Sequence, residues 1–202
     1  MTDPYSLTGR TVLVTGGTRG IGRAISLRLA RAGAGVIANY ARNDEAAAAL
    51  QATAAEEGLA VEVLRADLTL PKGLGTVLER MAQPDVGIVS MIHCAATGVH
   101  RPVDELTTRH LEWTTTLNTR AFFELLKGLL PVLGEGSTVV AVSSAGAVRA
   151  VPAYAAVGMS KAALESMARH AAAELAPRGI RVNILAPGSV ETEAWAALPG
   201  KD

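Results

Sequence analysis

The chain has 202 residues, 49% hydrophobic and 19% charged, which excludes intrinsic disorder and suffices for one α/β domain, residues 1–202, with a sizeable core. Its 19 basic side chains balance its 19 acidic ones, so no basic field exists to gather nucleic acid or anionic lipid. No apolar run reaches the ~18 residues of a membrane span, Asp3 stands where a signal peptide has positive charge, and Cys94 is the one cysteine. A cytoplasmic protein without membrane or nucleic-acid partners is expected.

In chain order, Arg10–Thr15 reads as a first strand that runs into a glycine cluster. Ile21, Ile25, Leu29 and Ala32 follow at helical spacing. Gly35–Asn39 is a second strand, and Asp44 is the expected N-cap of an alanine-rich helix to Glu57. Val61–Ala66 is a third strand, and Pro71 suits the first turn of a helix to about Gln83. Val86–His93 is almost unbroken in apolar character, as a strand buried on both faces is. The loop Ala95–Leu106 leads to Thr107 or Thr108 as cap of a helix through about Leu130. Ser137–Val142 is a fifth strand, Pro152–Ala176 a long helix closed by Pro177, and Ile180–Leu185 a sixth strand. This alternation predicts βαβ units and a doubly wound parallel sheet of the Rossmann type.

Thr15-Gly16-Gly17-Thr18-Arg19-Gly20-Ile21-Gly22 lies between the first strand and the first helix. Glycines there let the backbone approach a pyrophosphate, and the free N–H groups and dipole of the helix face the anion. The second strand ends without the acid that usually holds an adenine-ribose 2′-hydroxyl, while Arg19 and Arg42 match a 2′-phosphate. NADPH is therefore expected over NADH. The histidines have no partners at ligand spacing, so no metal site is expected.

These motifs, with Asp67-Leu68 after the third strand, Asn118 in the fourth long helix, Ser143-Ser144 after strand five, and Tyr154 and Lys161, resemble the short-chain dehydrogenase/reductase pattern. Pro187-Gly188 and Thr192 after strand six extend the resemblance over essentially the whole chain. It implies that NADP(H) meets Gly16, Thr18, Arg19, Gly20, Ile21 and Gly22 in the phosphate loop, and Tyr40 and Arg42 after the second strand. It adds contacts at Asp67, Leu68, Ala95, Lys161, Pro187, Gly188 and Thr192. Tyr154 would be the acid, Lys161 would lower its pKa and hold the nicotinamide ribose, and Asn118 would support a proton relay. Ser143 or Ser144 would contact the substrate oxygen, with Ser144 preferred.

Most members of that superfamily place the tyrosine four residues before the lysine, which here is Val157. Tyr154 stands seven before Lys161, and at ~100° per residue seven steps return to the same helix face. The stretch Arg149–Glu165 resembles the enoyl-acyl-carrier-protein reductases. His93–Val103 and Leu111-Glu112-Trp113 resemble their NADPH-dependent type III members. The implied activity is reduction of the 2,3 double bond of enoyl thioesters on acyl carrier protein or CoA, in fatty-acid or polyketide-like synthesis. A 3-oxoacyl or other ketoreductase and a non-catalytic NADP-binding protein are the alternatives. The resemblance implies a homodimer or homotetramer built on Thr108–Leu130 and Pro152–Ala176.

Two departures stand out. The usual asparagine pair after the fourth strand is His93-Cys94, which puts its hydrogen bonds in doubt. Family members also continue past the equivalent of Gly200 with a covering helix, a further helix and a final strand, so a C-terminally short domain is expected.

Overall fold

A computed structural model describes residues 5–192; Met1–Pro4 and the stretch after Thr192, where the C-terminal departure falls, lie outside the described residues. Six strands form one sheet in the order β3-β2-β1-β4-β5-β6. They are β1 (Arg10–Thr15), β2 (Gly35–Tyr40), β3 (Val61–Arg65), β4 (Ile88–His93), β5 (Thr138–Val142) and β6 (Arg181–Leu185). Every neighbouring pair is parallel. The helices are α1 (Gly20–Arg31), α2 (Asp44–Glu56), α3 (Pro71–Met81), α4 (Thr108–Thr115), α5 (Ala121–Leu129) and α6 (Ala155–Leu175).

Alternation along each strand sends side chains to two cores. From β1, Val12 and Val14 join Leu27, Val36 and Leu50 beneath α1 and α2. Leu13 between them joins Met91, Phe122, Leu125 and Leu164 on the opposite face. Burial on both faces is why β1, β2 and β4 read as apolar runs. Strand order reverses between β1 and β4, so the C-terminal ends of those two strands flank the crevice in which such sheets hold ligands.

Local chemistry adjusts several boundaries. Asn43, not Asp44, caps α2: its side-chain oxygen accepts from the Ala46 N–H at 2.8 Å, and Asp44 becomes the first helical residue. At α4 the cap is Thr107, in a reciprocal box with His110. The helix expected to run unbroken to Leu130 passes through a π-turn at Thr116–Arg120, which contains Asn118. The last long helix starts at Ala155 rather than Pro152, because Ala153 takes a left-handed conformation (φ 55°) that stops helix growth before it. Tyr154 is therefore the residue before the helix, at φ −116° and ψ 7°.

Candidate active site

The phosphate loop packs too tightly for side chains at three points, Gly16, Gly17 and Gly22. Gly16 has φ 63°, and a Cβ there would stand 2.9 Å from the Ala95 Cα at the end of β4. A Cβ on Gly22 would collide with the Gly16 carbonyl oxygen. The loop is thus folded on itself and on β4, and α1 opens directly from it without an acidic residue in its first turn. That leaves a helix N-terminus suited to an anion. Thr18 is buried within the loop, and Gly20 and Ile21 face Pro187 and Thr192 across a cleft. Among the described residues, nothing lies within 4 Å of the Cβ direction of Gly188.

At the end of β2, Asn39 is buried and its amide nitrogen donates to the Ala66 carbonyl at 2.9 Å, so it braces β3. The Tyr40 hydroxyl donates to Asp44 at 3.0 Å, and that aspartate also pairs with Arg65. Burial and the carboxylate beside it raise the pKa of the phenol. Asp67 accepts from both the hydroxyl and the N–H of Thr69, at 2.6 and 3.0 Å. These bonds hold its carboxyl below the usual range, helped by the nearby charge of Arg42. Arg42 is exposed, and Leu68 is buried in the core. The groups at the tips of β2 and β3 therefore comprise an exposed guanidinium and an aspartate committed to its own turn.

The end of β4 is built around Thr15. Its hydroxyl oxygen accepts from the N–H groups of Cys94 and Ala95, both at 3.1 Å, so its own proton is left for His93 Nδ1 at 3.1 Å. His93 is fully buried with its ring 5.6 Å from that of Phe122. Its proton then resides on Nε2, the one buried side-chain polar atom without a hydrogen-bond partner among the described residues. Burial, and secondarily the Lys161 ammonium, push the His93 pKa down to about 3, so the ring is neutral. Thr15 and His93 thus supply the side-chain hydrogen bonds at this strand end.

Tyr154 lines a cavity of about 470 Å³ between the β4–α4 loop and the segment Gly146–Ala162. Its hydroxyl donates to Ser144 Oγ at 3.2 Å, and Ser144 also accepts from the Gly146 N–H at 3.2 Å. A Cβ on Gly146 would lie 2.5 Å from the tyrosine ring, so this glycine is the bed on which the ring rests. From the other direction the His100 ring approaches, with centroids 5.4 Å apart and planes inclined by 31°. Neither Gly146 nor His100 was singled out in the sequence as a neighbour of Tyr154. The glycine eight positions before the tyrosine was the one available hint. Of the two candidate serines, Ser143 donates to Glu165 at 2.7 Å, which leaves Ser144 beside the phenol.

Lys161 is buried, and its ammonium donates to the Val142 carbonyl at 2.8 Å. Burial lowers its pKa to about 8, opposed by neighbouring Cys94. Burial in turn raises the Cys94 thiol, with the Lys161 charge pulling it back. The hydrogen bonds of Tyr154 and Lys161 go to different partners, Ser144 and Val142. The seven-step helical phase does not relate them either, since Tyr154 precedes α6. Val157, at the usual tyrosine position, is buried against Gly98. Asn118 is buried in the π-turn: its Oδ1 accepts from the Thr97 N–H at 2.8 Å, and its Nδ2 donates to the Thr97 carbonyl at 2.8 Å and Ser160 Oγ at 2.9 Å. The side chain expected in a proton relay ties the β4–α4 loop to α6.

A family model described as enoyl-(acyl carrier protein) reductase matches residues 16–202. The chain belongs to the short-chain dehydrogenase/reductase family. Among reductases of this family, it is 34% identical over 182 residues to 1-cyclohexenylcarbonyl-CoA reductase of Streptomyces collinus, covering 90% of this chain and 65% of that protein's length. It is 32% identical to a hydroxynaphthalene reductase-like protein of Metarhizium acridum, over 98% of this chain and 76% of the other. A solved structure of the family, the angucycline C-6 ketoreductase LanV with bound NADP, superposes with a TM-score of 0.89 at 32% identity, covering 96% of this chain and 78% of that one. No helix among the described residues is long and apolar enough to cross a membrane, and no group of three or more potential metal ligands occurs among them.

Proposed function

We propose that this oxidoreductase binds NADP(H) and reduces the 2,3 double bond of an enoyl thioester. The observation that carries the reading is the displacement of the phenol: Tyr154 stands before α6 over Gly146, while Val157 fills the usual tyrosine position. A hydroxyl moved outward along the crevice suits a substrate whose acceptor carbon is separated from its oxygen by a conjugated bond. Similarity to a protein named 1-cyclohexenylcarbonyl-CoA reductase, a name that places a ring double bond next to a thioester carbonyl, supports the same choice.

The cofactor reading rests on fit. The Gly16–Gly22 loop has no room for Cβ atoms at Gly16, Gly17 and Gly22, α1 opens without an acidic residue in its first turn, and Arg42 rather than an acid stands past β2. Gly16, Thr18, Arg19, Gly20, Ile21 and Gly22 would hold the pyrophosphate, with Arg42 on the 2′-phosphate and Asp67, Leu68 and Tyr40 around the adenosine. Ala95, Pro187, Gly188 and Thr192 would line the nicotinamide half, with Lys161 on its ribose. The NADP bound in LanV is consistent with this assignment. When bound, the nicotinamide would supply hydride to the β-carbon, and the α-carbon of the resulting enolate would take a proton. The Tyr154 hydroxyl would donate a hydrogen bond to the thioester oxygen, where negative charge collects. Ser144 would then turn its own hydroxyl proton to the phenol oxygen and keep it aimed, and Lys161 would favour the phenolate form by its charge. Asn118 would act by fixing the loop and helix that frame the oxygen.

A second reading, carbonyl reduction, draws on the Ser144–Tyr154 hydrogen bond, a pair that equally serves a ketone oxygen, and on the similarity to LanV. The two are separated by following NADPH absorbance with crotonyl and acetoacetyl thioesters in parallel. Consumption with crotonyl alone is the expected result; consumption with acetoacetyl alone transfers the assignment to ketoreduction. Tyr154→Phe is expected to lower turnover by at least about 100-fold while leaving NADPH affinity within about twofold. Retained activity removes the phenol from its role.

A further inference from the structure

The cavity beside Tyr154 is amphipathic in a directional way. Val103, Val151, Pro152 and Met159 give it apolar walls, and among the described residues Arg101 and Arg149 are the only charged side chains that line it. Both are exposed. No acid among the described residues lines the cavity itself. Arg101 shares an i,i+4 pair with Glu105 at 3.3 Å, each about half exposed, a contact that is exchanged at little cost. No hydrogen bond or ion pair engages the Arg149 guanidinium among the described residues. Arg101 also directly follows His100, whose ring lies against Tyr154, so the loop that borders the phenol is the loop that carries the first cation.

Two guanidiniums at the rim of an apolar cavity call for a ligand with an apolar reacting end and an anion further along. A free hydrocarbon or a fused aromatic ketone offers no such anion. We propose that Arg101 and Arg149 form a phosphate-binding rim for the phosphorylated pantetheine arm of the thioester. This rests on the enoyl-thioester reading above. The acyl end would lie in the cavity with its carbonyl at Tyr154, and the arm would leave past the two arginines. Guanidinium matches phosphate oxygens in a fork and forms charge-assisted hydrogen bonds with them. The same phosphate is present whether the arm belongs to CoA or to a carrier protein.

The test compares two substrates that differ by that one group, crotonyl-pantetheine and crotonyl-4′-phosphopantetheine, on the wild-type chain and on Arg101→Gln/Arg149→Gln. The wild type is expected to show a KM about tenfold lower for the phosphorylated thioester, a preference that shrinks as salt is raised. In the double variant the preference should fall to about one. An unchanged preference in the variant, or none in the wild type, overturns the rim. Crotonyl-CoA and the crotonyl carrier protein then separate the two sources. A variant effect on both is expected, and an effect confined to CoA moves the contact to its adenosine phosphates and overturns the proposal. Direct titration with 4′-phosphopantetheine and with pantetheine in the presence of NADP needs no turnover. Phosphate-selective binding that the variant loses sustains the rim even if both thioesters prove inert, an outcome that would sink the enoyl reading alone.

Discussion

Lys161 offers a test in which the sign and the size of an effect both follow from burial. The ammonium sits beneath the end of β5 on the Val142 carbonyl, and desolvation lowers its pKa from 10.5 to about 8. A cation with a depressed pKa is held less willingly by the fold than by water. Below pH 8 both folded and unfolded chains carry the proton, and the full penalty is present. Between pH 8 and 10.5 the folded chain releases it while the unfolded chain keeps it, so stability rises with pH. At ~1.4 kcal/mol per unit, the shift to about 8 corresponds to a gain on the order of 3 kcal/mol across that window. In Lys161→Met the rise should vanish. Removing the donor also leaves the Val142 carbonyl unpaired, at a cost of about 1–3 kcal/mol, but that loss offsets the whole curve without changing its slope. The assay is urea unfolding of both proteins at intervals from pH 7 to 10.5, read as the difference between them, in which other titrating groups cancel. Cys94, whose proton affinity includes the lysine charge, is removed by running both in a Cys94→Ala background. Parallel curves for the two proteins would refute a buried, depressed ammonium.

Gly22→Ala should abolish high-affinity NADPH binding and destabilise the chain by about 2–4 kcal/mol, since its Cβ collides with the Gly16 carbonyl and backbone must move; fluorescence titration and thermal unfolding check it. Arg42→Asp should turn the preference from NADPH towards NADH, by roughly 1.5–3 kcal/mol lost from a charge-assisted contact with the 2′-phosphate, read as the ratio of kcat/KM for the two cofactors. His93→Leu should cost about 1–3 kcal/mol by leaving the Thr15 hydroxyl proton unpaired, and His93→Asn should recover part of this. Equal stability of the two variants in urea would mean that the Thr15 bond is not what the ring supplies.

The sheet was readable because strands buried on both faces cannot hide their apolar character, and because each helix between them carries its own start or stop. Pro71 at the head of α3 and the glycine cluster before α1 are such signals. The caps were less legible: Asn43 and Asp44 are adjacent and both competent, and only geometry decides which oxygen reaches the Ala46 N–H. Periodicity also has no means of registering a single extra residue inside a helix, so the π-turn around Asn118 was invisible. At the site, residue types were legible but their partners were not. The sequence places Tyr154 and Lys161 at a spacing that looks helical, yet one left-handed alanine just upstream sets the phenol outside the helix. Ser143 and Ser144 are equivalent on paper; the tertiary contact with Glu165 distinguishes them.

The interruption at Thr116–Arg120 lets one continuous segment answer to two different neighbours. Before it α4 packs against α6, and after it α5 packs against α3. An extra residue in the turn rotates the second half by ~100° relative to an unbroken helix. Deleting any one of those five residues would restore a straight rod and swing one half off its partner. The segment is thereby intolerant of length change, and insertions or deletions should be better borne in the exposed connection Gln83–Asp85 than here.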